Sequence, residues 1–286
     1  MIRCLRLVSI FAACVCYQAA NAQAVGERIV KVPVKVTDSY NKLFEREITV
    51  TVFETPGRAP YPLLILNHGR PGDQAGRMKM GRVRYLEASR WFASLGYSVW
   101  VPTRIGYGVS GADEDPEYTR ACRTNWFEPG LAVAEEQTLQ VIEHAKRSSD
   151  IDGRRIVVAG PSFAGVTSIG VAARNPPGLV AAINISGGNG GDPVAHPGSP
   201  CGADVLRKIF STYGRAARVP TLWIYAENDK YFAPRFAEAW FEAFRSSGGK
   251  GEFVMHPPLG EDGHDIFTRG FAQWRPIVER FLGEIK

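Results

Sequence analysis

Three side chains stand where a nucleophile, a base and an orienting acid could be assembled. Ser162 lies in Arg154-Arg155-Ile156-Val157-Val158-Ala159-Gly160-Pro161-Ser162-Phe163-Ala164-Gly165, which reads as a buried strand, a tight turn and the start of a helix. A serine on such a turn is held in a strained backbone conformation, so the residues two before and two after it must be small to clear strand and helix. Gly160 and Ala164 meet that need. The turn lifts the hydroxyl above the sheet and aims the first amides of the helix, beginning with Phe163, at a reacting carbonyl. The pattern small-x-Ser-x-small also arises by chance, and a serine there can serve merely as a helix cap.

A serine hydroxyl is nearly inert at neutral pH; it needs a base, and the base needs a carboxylate to orient it. The apolar run from Thr221 to Ala226 ends in Glu227-Asn228-Asp229, which puts a carboxylate just past the end of a strand. Asp229 is the expected acid and Glu227 the runner-up, while either could instead cap the helix that starts near Ala233. Beyond the last strand, Leu259-Gly260-Glu261-Asp262-Gly263-His264 forms a polar, glycine-flanked loop that ends in a histidine before the final helix. From there an imidazole can reach over the sheet edge. His144 falls on a helical stretch, His256 within a strand, and His196 in a loop that precedes Asp229.

These residues need a scaffold, and the hydrophobic pattern supplies one. From Glu27 onward short β-branched runs alternate with long amphipathic stretches, the signature of a mostly parallel sheet with helices on both faces. Residues 28–36 and 46–54 alternate apolar and polar positions around a turn at 38–41 and predict an antiparallel hairpin at one edge. The runs 62–67, 98–102, 155–159, 180–185, 221–226 and 252–256 are continuously apolar, as strands buried on both faces are, which brings the count to eight. Helices are predicted over 83–94, 131–147, 163–174, 204–217, 234–246 and 267–282. There is no repeat, heptad run or linker, so one domain is expected over residues 23–286. Two connections are long, 104–130 and 186–202, and both follow parallel strands, where open α/β sheets bind ligands. The first carries Tyr107, Tyr118, Trp126 and Phe127, of which Tyr107 and Trp126 are the expected pocket wall, although loop aromatics commonly pack onto their own domain. Arg70, Arg104, Arg120 and Arg123 could favour an anionic substrate or simply be solvated.

The first 22 of the 286 residues differ from the rest. Arg3 and Arg6, an apolar run from Leu7 to Tyr17 and the small residues Ala20-Asn21-Ala22 read as a signal peptide cleaved near Ala22, which predicts a secreted or periplasmic protein. The run is too short to span a bilayer, so no integral membrane association is expected; lipidation of Cys14, or a buried N-terminal helix, are the competing readings. The net charge of +5 is too mild to argue for a nucleic-acid partner. Beyond the leader only Cys122 and Cys201 remain, one in each long connection, and in an exported chain that suggests one disulfide, unless the two lie too far apart to bridge. No Cys/His cluster at zinc spacing and no phosphate-cradling Gly-Lys-Ser/Thr loop occurs, so neither metal nor cofactor is expected.

With Gly160-Pro161-Ser162-Phe163-Ala164, the Glu227-Asn228-Asp229 strand end, His264 and the His68-Gly69 loop in place, the chain resembles the α/β-hydrolase superfamily over nearly all of its mature length, and most of all its dienelactone-hydrolase-like and serine esterase branches. The order Ser, Asp, His along the chain is that of the superfamily. The resemblance implies an α/β-hydrolase fold without a large cap domain. It also implies a second oxyanion donor from the loop after the third strand, here Asn67-His68-Gly69-Arg70-Pro71-Gly72, with the Arg70 amide beside that of Phe163 and His68 holding the loop. Dienelactone hydrolase itself has cysteine where Ser162 stands, so its lactone is not carried over, and Ala164 replaces a commoner glycine. The implied activity is hydrolysis of a small carboxylic ester through an acyl-enzyme. Two alternatives are a peptidase of the prolyl-oligopeptidase kind and a non-catalytic binding protein on the same scaffold.

Overall fold

The computed structural model describes residues 25–285 apart from positions 56, 112 and 125. The expected leader and Cys14 lie outside the described residues. The strands are β1 (Gly26–Thr37), β2 (Leu43–Glu54), β3 (Tyr61–Leu66), β4 (Ser98–Thr103), β5 (Ile151–Pro161), β6 (Leu179–Ile185), β7 (Thr221–Ala226) and β8 (Gly251–His256). They form one sheet in the order 1-2-4-3-5-6-7-8, antiparallel between β1 and β2 and between β2 and β4, and parallel from there on. The hairpin forms where the alternation predicts it. Val32, Val34 and Val36 point inward from β1, and Asp38 closes the turn by accepting the Tyr40 and Lys42 amides at 2.8 Å each.

The helices are α1 (Gln74–Lys79), α2 (Leu86–Ser94), α3 (Ala121–Thr124), α4 (Glu128–Ala145), α5 (Phe163–Arg174), α6 (Ala203–Ala216), α7 (Pro234–Ser246), α8 (Ile266–Arg269) and α9 (Phe271–Glu284). Successive residues of a central strand face opposite sides, which gives two cores. Leu63 and Ile65 of β3, Ile156 and Val158 of β5 and Trp223 of β7 pack under α4, α5, α6 and α7. Leu64 and Leu66, Val157 and Ala159, and Leu222 and Ile224 pack against α2, α8 and α9. In α6 the buried Leu206, Ile209 and Phe210 recur at helical spacing and make the stripe that docks on the sheet.

Three departures from the sequence reading have local causes. The helix expected from residue 83 begins at Leu86, because Tyr85 takes a left-handed backbone with φ of 42°. The final helix is split at Gly270, where a Cβ would stand 2.6 Å from the Ile266 carbonyl oxygen. Helix α1 has only six residues, too few to show a period; Asp73 caps it by accepting the Gly76 amide at 2.6 Å.

The connections after β4 and β6 run over the carboxyl edge of the parallel strands. The first carries a short 3₁₀ turn and α3, with no cap domain among its described residues. Cys122 and Cys201 form a disulfide that joins the two connections, with Cα atoms 5.4 Å apart. Among the described residues no helix is long and apolar enough to cross a membrane.

Candidate active site

Ser162 stands between β5 and α5 with φ 57° and ψ −127°, outside the ordinary regions for a side-chain-bearing residue. The turn is held from below by the Ser162 amide, which donates to the Ile185 carbonyl of β6 at 2.9 Å. Its tightness explains the small neighbours. A Cβ on Gly160 would lie 2.5 Å from the Ala164 Cβ and 2.9 Å from the Asn67 carbonyl oxygen, so the methyl of Ala164 fits because position 160 has none. On the open side, Gly69 approaches so closely that a Cβ there would stand 3.3 Å from the Ser162 Cβ.

Asp229 follows β7 and is buried. Its Oδ1 accepts the Tyr231 and Phe232 amides at 2.7 and 2.9 Å, which leaves Oδ2 to meet His264 Nδ1 at 3.0 Å. A carboxylate accepts, so Nδ1 carries the proton and Nε2 keeps its lone pair. Tyr231 stacks on the imidazole with centroids 4.1 Å apart, and Phe232 meets it edge-on at 5.2 Å. Glu227, the runner-up acid, is exposed and has no part in this pair.

Two residues that the sequence did not mark lock the loops together. The Asn228 side chain accepts the Leu259 amide at 2.8 Å and donates to the Gly260 carbonyl at 3.1 Å. Asp262 Oδ1 accepts the Lys230 amide at 2.9 Å and the His264 amide at 3.0 Å. Asn228 adjoins Asp229 and Asp262 stands two before His264 in sequence, which was the available signal. Asp229 and His264 are therefore paired on one clamped unit. Among the described residues no hydrogen bond joins the Ser162 hydroxyl to His264.

Ser162, Phe163, Arg70, Asn189, Tyr231 and Phe232 border a cavity of about 490 Å³ between the two long connections. The Arg70 and Phe163 amides donate to no protein group among the described residues. Cys122 lines the same cavity, and the Cys201 amide donates to Gly190 at 2.9 Å, so the disulfide braces both walls.

Of the aromatics in the first long connection Tyr118 lines this cavity, whereas Tyr107 and Trp126, the expected pocket wall, do not. Tyr107 is fully buried beneath it, and its hydroxyl donates to Glu117 and accepts from Arg70. Burial, and then the Glu117 charge, push the phenol far above its usual range. Trp126 is 43% exposed and lies outside the lining. Tyr107 is held down by a cluster of buried charges that the loop sequence does not display as partners. Arg70 forks onto Asp115 at 2.8 and 2.7 Å, Arg77 reaches Asp115 at 3.1 Å, and Arg104 reaches Glu117 at 2.6 Å. Burial works against the charge of Arg70, yet Tyr107, Asp115 and Glu117 hold its pKa well above the usual arginine value. Arg70 and Arg104 are thus occupied by carboxylates, whereas Arg120 and Arg123 stand exposed on the cavity rim. No group of three or more His, Cys, Asp or Glu side chains is arranged to hold a metal ion among the described residues.

The chain has the α/β-hydrolase fold. It is similar to an acetyl xylan esterase from Paenibacillus sp. R4, with 15% identity over 93% of this chain and 90% of that one and a TM-score of 0.60. It is similar also to a protein of Klebsiella pneumoniae provisionally named a dienelactone hydrolase, with 17% identity, 89% and 99% coverage and a TM-score of 0.57. A third likeness is to Pyrococcus horikoshii acylaminoacyl peptidase, with 15% identity over 92% of this chain but 42% of that one, and a TM-score of 0.64. At such identities the likeness is one of fold. No family model matches the chain, and no curated protein does.

Proposed function

We propose that the protein is a serine hydrolase that cleaves small carboxylic esters. His264 Nε2 takes the proton of Ser162, and Ser162 Oγ attacks the ester carbon. The oxyanion is held by the Phe163 and Arg70 amides. Collapse of the tetrahedral intermediate breaks the C–O bond; the alcohol leaves with the proton from His264, and an acyl group stays on Ser162. A water molecule deprotonated by His264 then releases the acid and restores the serine. Asp229 keeps the imidazole in the Nδ1–H tautomer and stabilises it when it becomes charged.

One observation carries the reading: a serine in a strained strand-to-helix turn shares a cavity with Tyr231 and Phe232, which themselves hold the Asp229–His264 pair. The disulfide agrees with export to an oxidising compartment, and we propose cleavage of the leader after Ala22. A panel of p-nitrophenyl esters set against aminoacyl and prolyl anilides tests the substrate class. The expected result is turnover of short-chain esters that falls about 10⁴-fold or more in Ser162→Ala. Turnover confined to the anilides would move the protein to the peptidases, the direction in which the likeness to acylaminoacyl peptidase points.

A further inference from the structure

In the reaction proposed above the departing alcohol takes its proton from His264 Nε2, so the alcohol half of the ester lies beside the imidazole. The other substituents of the tetrahedral carbon have their own directions. One is the bond to Ser162 Oγ, one is the oxyanion turned to the Phe163 and Arg70 amides, and the acyl group takes the direction that remains. Strand order sorts these directions into two sides of the cavity. The connection after β6, the turn after β7 and the loop after β8 that carries His264 follow one another on one side of Ser162, while the loop after β3 and the connection after β4 lie on the other. The alcohol half belongs to the side of β6, β7 and β8.

Two residues that border the cavity touch the imidazole. Tyr231 lies nearly flat on it, with ring centroids 4.1 Å apart and planes inclined by 25°, and Phe232 meets it edge-on at 5.2 Å. Both are fixed through the backbone, because their amides donate to Asp229 Oδ1. The connection after β6 packs on these rings without side chains between: a Cβ on Gly188 would stand 2.5 Å from the Phe232 ring, and one on Gly191 would stand 2.9 Å from the Tyr231 ring. With one face on the imidazole, the half-buried Tyr231 gives its remaining surface to this end of the cavity. Asp192, at the rim, turns Oδ1 to the Val194 and Ala195 amides at 3.0 and 2.8 Å. The cationic rim residues Arg120 and Arg123 belong to the connection after β4, on the opposite side.

We propose that Tyr231 determines specificity for the alcohol half of the substrate, and that the preferred esters carry an aromatic ring on the alcohol, packed against Tyr231 beside His264, with the acyl group directed toward the β4 side. The inference rests on the ester-hydrolase reading. A ring packed on a ring gains more than an alkyl chain of equal area, by up to about tenfold in affinity.

Benzyl acetate and n-hexyl acetate test this, since they share an acyl group, carry similar apolar area and release alcohols of nearly equal acidity. Wild type is expected to favour the benzyl ester in kcat/KM by about tenfold. Tyr231→Phe keeps that ratio, and Tyr231→Ala brings it to within about twofold of unity. Any slackening of His264 in Tyr231→Ala slows both esters alike and cancels in the ratio. The ratio of benzyl butyrate to benzyl acetate, which varies only the acyl group, stays at its wild-type value in Tyr231→Ala. A wild-type ratio near unity, measured on the intact protein and independent of how any variant folds, overturns the proposal. So does a benzyl preference that survives in Tyr231→Ala, or a variant that shifts the acyl ratio in its place. These failures leave the hydrolase reading standing if Ser162 still takes a fluorophosphonate; wild-type protein that takes no label and turns over no ester removes that reading itself, and the role of Tyr231 with it.

Discussion

Asp229 divides its two oxygens between two tasks, and that division sets what its loss should cost. Oδ1 takes the Tyr231 and Phe232 amides, while Oδ2 alone faces His264. Asp229→Asn keeps the size but presents an amide that can donate where an acceptor is needed, which turns the imidazole to the wrong tautomer. The expected outcome is a fall in kcat of about 10⁴-fold with a nearly unchanged melting temperature. A variant with close to wild-type kcat would show that the carboxylate does not orient the base. The sequence could propose His264, Asp229 and Ser162 because each follows a strand that hydrophobicity alone marks out, Ser162 directly, Asp229 after a short turn and His264 after a longer loop. Tyr107 was misread for the opposite reason: an aromatic in a long loop has no period to say whether it faces a cavity or the core, and its partners are Glu117, ten residues further along the same irregular connection, and Arg70 of the loop after β3.

Elements hold these residues in place through their packing, and one contact between helices carries a pH dependence. Glu135 of α4 is buried beside α5 and α6, where it accepts from the Tyr213 hydroxyl; at Gly170 a Cβ would come within 2.0 Å of its carboxylate. Burial raises the carboxyl pKa from 4.5 to about 7, with Tyr213 and Arg174 pulling the other way. A carboxyl whose pKa is higher in the folded than in the unfolded chain binds more protons when folded. It therefore costs stability progressively as pH rises from about 4.5 to about 7. Glu135→Gln should then match wild type near pH 4 and be more stable by about 3 kcal/mol at pH 8, as read from urea midpoints. A gap that is constant across this range would contradict the account. Most strands and the long helices follow from period and composition, whereas α1, with six residues, and the break at Gly270 depend on capping and close contacts that a periodic pattern does not encode.

At the scale of the whole molecule the Cys122–Cys201 bond ties the two long connections across the cavity, at a sequence separation of 79. In the chain-entropy view a loop of this length stabilises the fold by about 4 kcal/mol. The double variant Cys122→Ser/Cys201→Ser, like wild type in reductant, should unfold at clearly lower denaturant; an unchanged midpoint would contradict that reading. The same bond fits export, and the exported protein should begin at Gln23. The eight-stranded sheet and its edge hairpin were readable from the chain, because buried strands write continuous apolar runs and the hairpin writes an alternating one. The buried cluster of Arg70, Arg77, Arg104, Asp115 and Glu117 was not, since ion pairs made across or within irregular segments leave no mark in periodic patterning.

The most direct test of the nucleophile is chemical. The folded protein is treated with a fluorophosphonate, digested, and the modified residue located by mass spectrometry. Stoichiometric phosphonylation of Ser162, lost in Ser162→Ala and strongly slowed in His264→Ala, is the predicted result. An unmodified Ser162 in folded protein, or a label carried by another serine, would contradict it.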